Sequence, residues 1–96
     1  MAVVSVTFAA VGGGVQVISL DSAQTDILTP SAANQTTTKT TSTNRPIVRI
    51  ATDSALYVSC GVAPDATVDA TRIYVPAGGT EFFATGSGNK VAVVLA

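Results

Sequence analysis

The chain has 96 residues, with five Lys or Arg against six Asp or Glu, no histidine and one cysteine. That length bounds one domain with a small core, and the missing histidines and second cysteine exclude Ser-His-Asp and Cys-His nucleophiles, His-based metal sites, zinc knuckles and an intrachain disulfide. Only 11% of residues are charged, while 47% are hydrophobic; charge is well below the usual ~25%, a surface suited to being covered by neighbours. In chain order, Val4, Val6 and Phe8 alternate with Ser5 and Thr7, the period of a half-buried strand. Gly12-Gly13-Gly14 ends it, and Val15, Val17, Ile18 and Leu20 form a second strand, so the start of the chain is expected to be a hairpin. Residues 1–20 carry no charge, but they lack the basic start and continuous apolar core of a signal peptide, so neither a targeting nor a spanning segment is expected.

Asp21 to Thr29 admits a helical turn near Asp21-Ser22. An extended Ile27-Leu28-Thr29 fits better, because the residue before Pro30 avoids the helical region. Residues 31–44, SAANQTTTKTTSTN, hold almost no apolar side chain and cannot form a core. Two readings stand for them: a flexible loop or linker, and an arm that orders on a neighbouring subunit, since Thr accepts extended backbone and its hydroxyl bonds across strands. Asn34-Gln35-Thr36 matches the glycosylation pattern, which without a secretory signal is read as coincidence.

Beyond Pro46, Val48 and Ile50 alternate with Arg49, and after a Thr52-Asp53-Ser54 turn Leu56, Val58 and Cys60 alternate with Tyr57 and Ser59. These segments are expected to pair, with Cys60 a buried free thiol. A loop from Gly61 to Ala70 leads to Ile73 and Val75, which Pro76 stops. Ala77-Gly78-Gly79 turns the chain into Glu81-Phe82-Phe83, and Gly86-Ser87-Gly88-Asn89 turns it into a core-facing strand with Val91, Val93 and Leu95. The adjacent Phe82 and Phe83 must point to opposite faces, one to the core and one to an interface or second packing layer. About seven short strands without a helix predict an all-β fold, a small antiparallel β-sandwich or barrel with a long Thr-rich loop or arm, over residues 1–96 as one domain.

The chemistry-bearing groups are few. Lys39, Arg45, Arg49, Arg72 and Lys90 are scattered too thinly for a phosphate-binding footprint, so no nucleic-acid partner is expected. Asp53-Ser54 fits an Asx-type turn. Asp65 and Asp69 share a loop without the spacing of a calcium-binding hand, and a solvated loop is the expectation. Neither Gly12-Gly13-Gly14 nor Gly86-Ser87-Gly88-Asn89-Lys90 opens a helix, which excludes a phosphate cradle. No catalytic residue, metal or cofactor is assigned.

The run Arg45-Pro46-Ile47-Val48-Arg49-Ile50-Ala51-Thr52-Asp53, followed by Tyr57-Val58 with Gly61 and Pro64, then Pro76-Ala77-Gly78-Gly79-Thr80-Glu81-Phe82-Phe83 and Gly88-Asn89-Lys90-Val91-Ala92-Val93-Val94, resembles small all-β virion proteins of tailed bacteriophages. The resemblance covers the C-terminal half, residues 45–96. It implies a non-enzymatic structural role in the virion: a capsid decoration or cement protein binding the major capsid protein and neighbouring copies as a homo-oligomer, or a head-to-tail connector or tail accessory protein. A carbohydrate- or receptor-binding module using Tyr57, Tyr74 and Asp65 is the reading from another class. Candidate interface residues are Thr36, Thr37, Thr38, Lys39, Thr40, Thr41, Arg49, Tyr57, Arg72 and Tyr74, with no membrane partner.

Overall fold

A computed structural model describes residues 3–12 and 17–96, with side chains for 3–10 and 23–96. Among these, eight strands are present: β1 (Val4–Gly12), β2 (Val17–Leu28), β3 (Gln35–Thr36), β4 (Ile47–Thr52), β5 (Leu56–Gly61), β6 (Ile73–Val75), β7 (Thr80–Ala84) and β8 (Lys90–Leu95). They form two four-stranded antiparallel sheets, ordered β2-β1-β4-β7 and β3-β8-β5-β6. The fold is an open sandwich and not a closed barrel. The strand beyond the expected seven is β3, within the Thr-rich stretch.

Period-two alternation explains the core. Val4, Val6 and Phe8 from β1 and Val48 and Ile50 from β4 face Leu56, Val58, Val75, Val91 and Val93 from the other sheet, with Leu28 and Phe83 packed against them. Each fully buried aliphatic or aromatic side chain stabilises by about 1.5–3 kcal/mol, so these few residues dominate the stability of so short a chain. Strand β8 is apolar on both faces because both are covered. Its outward Ala92 and Val94 form a second cluster with Ala66, packed by Tyr57, under the loop that follows β5.

The expected hairpin is β1 with β2, running from Val4↔Leu28 to Gly12↔Val17, with a register break between Phe8 and Ala10 that leaves extra residues on β2. Asp21 to Leu28 is strand rather than helical turn, and the connection at 13–16, with Val15, lies outside the described residues.

Two expectations are corrected. Strand β4 does not pair with β5: it pairs with β1 and β7, while β5 pairs with β6 and β8. The turn at Thr52–Ser54, where Thr52 Oγ1 donates to Ser54 O at 2.7 Å and accepts from Ser54 N at 3.1 Å, carries the chain across the sandwich. Alternation dictates which side chains face inward, and crossing to the facing sheet buries the same residues as a hairpin would. Cys60, in turn, is exposed. It shares the inward face of Leu56 and Val58, but β6 reaches β5 only as far as Val58↔Ile73, so Cys60 stands beyond the end of that cover.

Candidate interaction surface

The Thr-rich stretch is neither a free linker nor an arm projecting away from the domain; it closes the edge of its own sheet. Gln35 and Thr36 pair with Val93 and Ala92. Beyond them Thr37 N donates to Val91 O at 2.9 Å, and Val91 N donates to Thr37 Oγ1 at 3.1 Å. Thr41 repeats the device one turn later. Its N–H donates to Asn89 O, its hydroxyl to Gly86 O, and its Oγ1 accepts from Asn89 N at 3.0 Å. Thr37 and Thr41 are fully buried, which removes both from the candidate interface. A hydroxyl that replaces a ladder partner satisfies a backbone group that burial would otherwise leave costly.

Asp26 fastens this stretch to the other sheet. It lies on edge strand β2 in the inward register, opposite Val6. Its carboxylate accepts from Thr38 N at 3.0 Å, Lys39 N at 2.9 Å and Lys39 Nζ at 3.0 Å. Burial alone would raise its pKa, but the Lys39 N–H and ammonium and the Thr38 N–H outweigh it and hold the carboxyl below the ordinary value. Lys39 is thereby committed to an internal ion pair. Thr36 and Thr38 remain exposed and Thr40 half-buried.

The opposite side of the sandwich is open. Between β5 and β6 on one sheet and β7 on the other lies a cleft of about 220 Å³, lined by Val58, Ser59, Cys60, Thr71, Ile73, Phe83, Ala84 and Thr85. Desolvation by these walls pushes the Cys60 thiol up.

Tyr57, Arg72 and Tyr74 come together on the outer side of the second sheet. The Arg72 guanidinium lies 3.7 Å from the Tyr57 ring centroid and pairs with Asp69 at 2.7 Å. Tyr74 meets the Tyr57 ring edge-on at 5.7 Å. The Tyr57 ring is therefore engaged within the fold, and Tyr74 is the exposed aromatic of the group. Asp65 accepts from Thr67 N and Thr67 Oγ1, which hold its carboxyl low. Asp53 accepts from Val3 N at 2.8 Å and from Ser54 Oγ; the side-chain turn at this corner is made by Thr52 Oγ1 with Ser54 N, which corrects the Asx-type expectation for Asp53. Among the described residues no group of three His, Cys, Asp or Glu is placed to hold a metal, and no helix is long and apolar enough to cross a membrane.

Arg49 stands apart from the other candidates, on the outer face of the first sheet. The registers place Thr25, Thr7, Arg49 and Phe82 in one row across β2, β1, β4 and β7, and Ile27, Ser5, Ala51 and Thr80 in the next. Thr7 and Thr25 share a hydroxyl bond of 2.9 Å, and the Arg49 guanidinium sits 6.0 Å from the Phe82 ring centroid. Ile27 and Phe82 are more than half exposed. Sequence reasoning missed Ile27. For the Phe82-Phe83 pair the register decides: Phe83, opposite Val48, faces the core, and Phe82, opposite Arg49, faces out.

The ten sequence candidates thus fall in three places and not in one patch. Further exposed apolar side chains are Val3, Val62, Val68, Ile73 and Leu95; Leu95, expected to face the core, is the last residue of β8 and is exposed there. No protein-family model, curated protein or solved structure matches the chain.

Proposed function

We propose that the chain is a non-enzymatic virion structural protein of a tailed bacteriophage, a capsid decoration or cement protein that binds the major capsid protein and neighbouring copies. The observation that carries this reading is the distribution of exposed apolar side chains on a charge-poor frame: Ile27 and Phe82 on one outer face, Val62 and Val68 on the loop over the other, and Ile73 and Tyr74 on an edge strand. Scattered single apolar residues are ordinary; several on more than one side of so small a domain suit a subunit that is covered from more than one direction. The resemblance of residues 45–96 to small virion proteins supplies the setting.

The mechanism is adhesive. A rigid two-sheet frame bridges adjacent capsid subunits, and each contact is modest because many copies act together. Purified chain added to particles of the encoding phage assembled without it should bind saturably and raise the temperature at which they release their genome. No binding, or binding without stabilisation, overturns the reading.

A further inference from the structure

We infer that the outer face of the β2-β1-β4-β7 sheet is the docking surface, and that its occupant is a protein surface other than this chain, uncharged except for a carboxylate set to receive Arg49. The inference rests on the reading of the chain as an assembly subunit and names the contact that reading needs.

Charge is the first argument. Across the two rows that span all four strands, Thr25, Thr7, Phe82, Ile27, Ser5, Ala51 and Thr80 are uncharged and Arg49 is the one ion. Among the described residues Arg49 has no acidic partner; its contact is the edge of Phe82's reach, 6.0 Å from the ring. Glu81, the adjacent charge on β7, takes the inward register opposite Ile50 and so points away from this face. Covering a guanidinium without supplying a carboxylate leaves an uncompensated charge. A partner must therefore bring an acid to the middle of a contact otherwise made of hydroxyl and apolar side chains, and Arg presents a fork that receives one bidentately.

The same geometry disfavours a second copy. A two-fold pairing through this face lays the patch on itself and brings the two central Arg49 side chains towards each other, with no carboxylate between them. Addition of a strand at the β7 edge is opposed by Glu81, a charge in the inward register of an edge strand, a common device against edge pairing. Size points the same way as the proposed function: four strands by about six residues give a footprint of roughly 400 Å², below the ~800 Å² per partner of a standard interface. Such a contact holds when repeated over a lattice.

The test is co-sedimentation of the purified chain with particles of the encoding phage assembled without it, across a salt series. Arg49→Glu and Ile27→Asp are expected to weaken binding at least tenfold, and Arg49→Lys less. Tyr74→Asp, on the other sheet, should stay within twofold. Circular dichroism and melting confirm that each variant is folded. Wild-type binding that Arg49→Glu leaves within twofold overturns the docking face while leaving the function standing, and absence of wild-type binding overturns both. A dimer of the isolated chain that Ile27→Asp dissolves overturns the choice of occupant.

Discussion

Thr37 and Val91 are joined by two hydrogen bonds of different origin: backbone to backbone from Thr37 N to Val91 O, and backbone to side chain from Val91 N to Thr37 Oγ1. The hydroxyl continues the ladder where β3 has ended after two residues. A run that lacks apolar residues thus becomes structural, because its hydroxyls stand in for backbone partners along β8. The stretch 31–44 is an integral edge, and removing it would strip β8 of cover on one side.

Replacing Thr37 or Thr41 with the isosteric Val keeps shape and removes the hydroxyl. Each change leaves buried backbone groups unpaired, Val91 N in one case and Asn89 N in the other, at an expected cost of about 1–3 kcal/mol. Urea denaturation should show a lower midpoint with an unchanged slope, whereas Thr38→Val, at an exposed position, should cost less.

Asp26 predicts an acid sensitivity. Its folded-state carboxyl lies below the ordinary value, so its contribution is fully present above the unfolded-state pKa of about 3.9 and is lost as pH falls through the lower folded-state value. Asp26→Ala should cost about 1–2 kcal/mol at neutral pH, and the difference from wild type should shrink below about pH 4. Asp53 and Asp65 are also held low, so acid destabilisation should be reduced in the variant but not abolished. Melting curves from pH 2 to 7 check both parts.

Phe82 and Phe83 should separate stability from contact. Phe83 packs against the core, and Phe83→Ala should destabilise by about 2–4 kcal/mol. Phe82→Ser, on the outer face, should stay within about 0.5 kcal/mol. Chemical denaturation of the two variants distinguishes them.

The Cys60 thiol is exposed but desolvated by the cleft walls. Native-state labelling by a disulfide reagent should therefore go to completion, slowly at neutral pH and faster as pH rises past the usual thiol range, because the thiolate is the nucleophile. Protection equal to that of a core residue would contradict the open cleft.

Ile73 and Leu95, of the right parity, are exposed at the ends of β6 and β8, but most of the inward-facing residues of β1, β4, β5, β6 and β8 were legible in the sequence, because alternation marks a face without reference to its partner. Pairing was not: Val48 and Ile50 bury equally well beside Leu56 and Val58 or across from them. Cys60 has the correct parity, yet its exposure depends on where β6 stops. The Thr-rich edge was hidden because hydroxyl-to-backbone bonds leave no hydropathy signal, and Thr37 and Thr41 look no different from exposed Thr36 and Thr38. Among candidate interface residues, Arg49 lies on an outer face that the registers assemble from four strands, two of them distant in sequence. Ile27 carries no mark of its own; it faces out because Ser5, its partner across the ladder, does.

The most direct test of the central claim, the proposal that the chain is a virion subunit, is its number of copies in virions purified from a phage whose genome carries its gene, measured by quantitative mass spectrometry against the major capsid protein. A decoration or cement subunit repeated over a lattice predicts copies on the order of hundreds. A count on the order of a dozen, as a ring at the head-to-tail junction would give, or no copies at all, would contradict it.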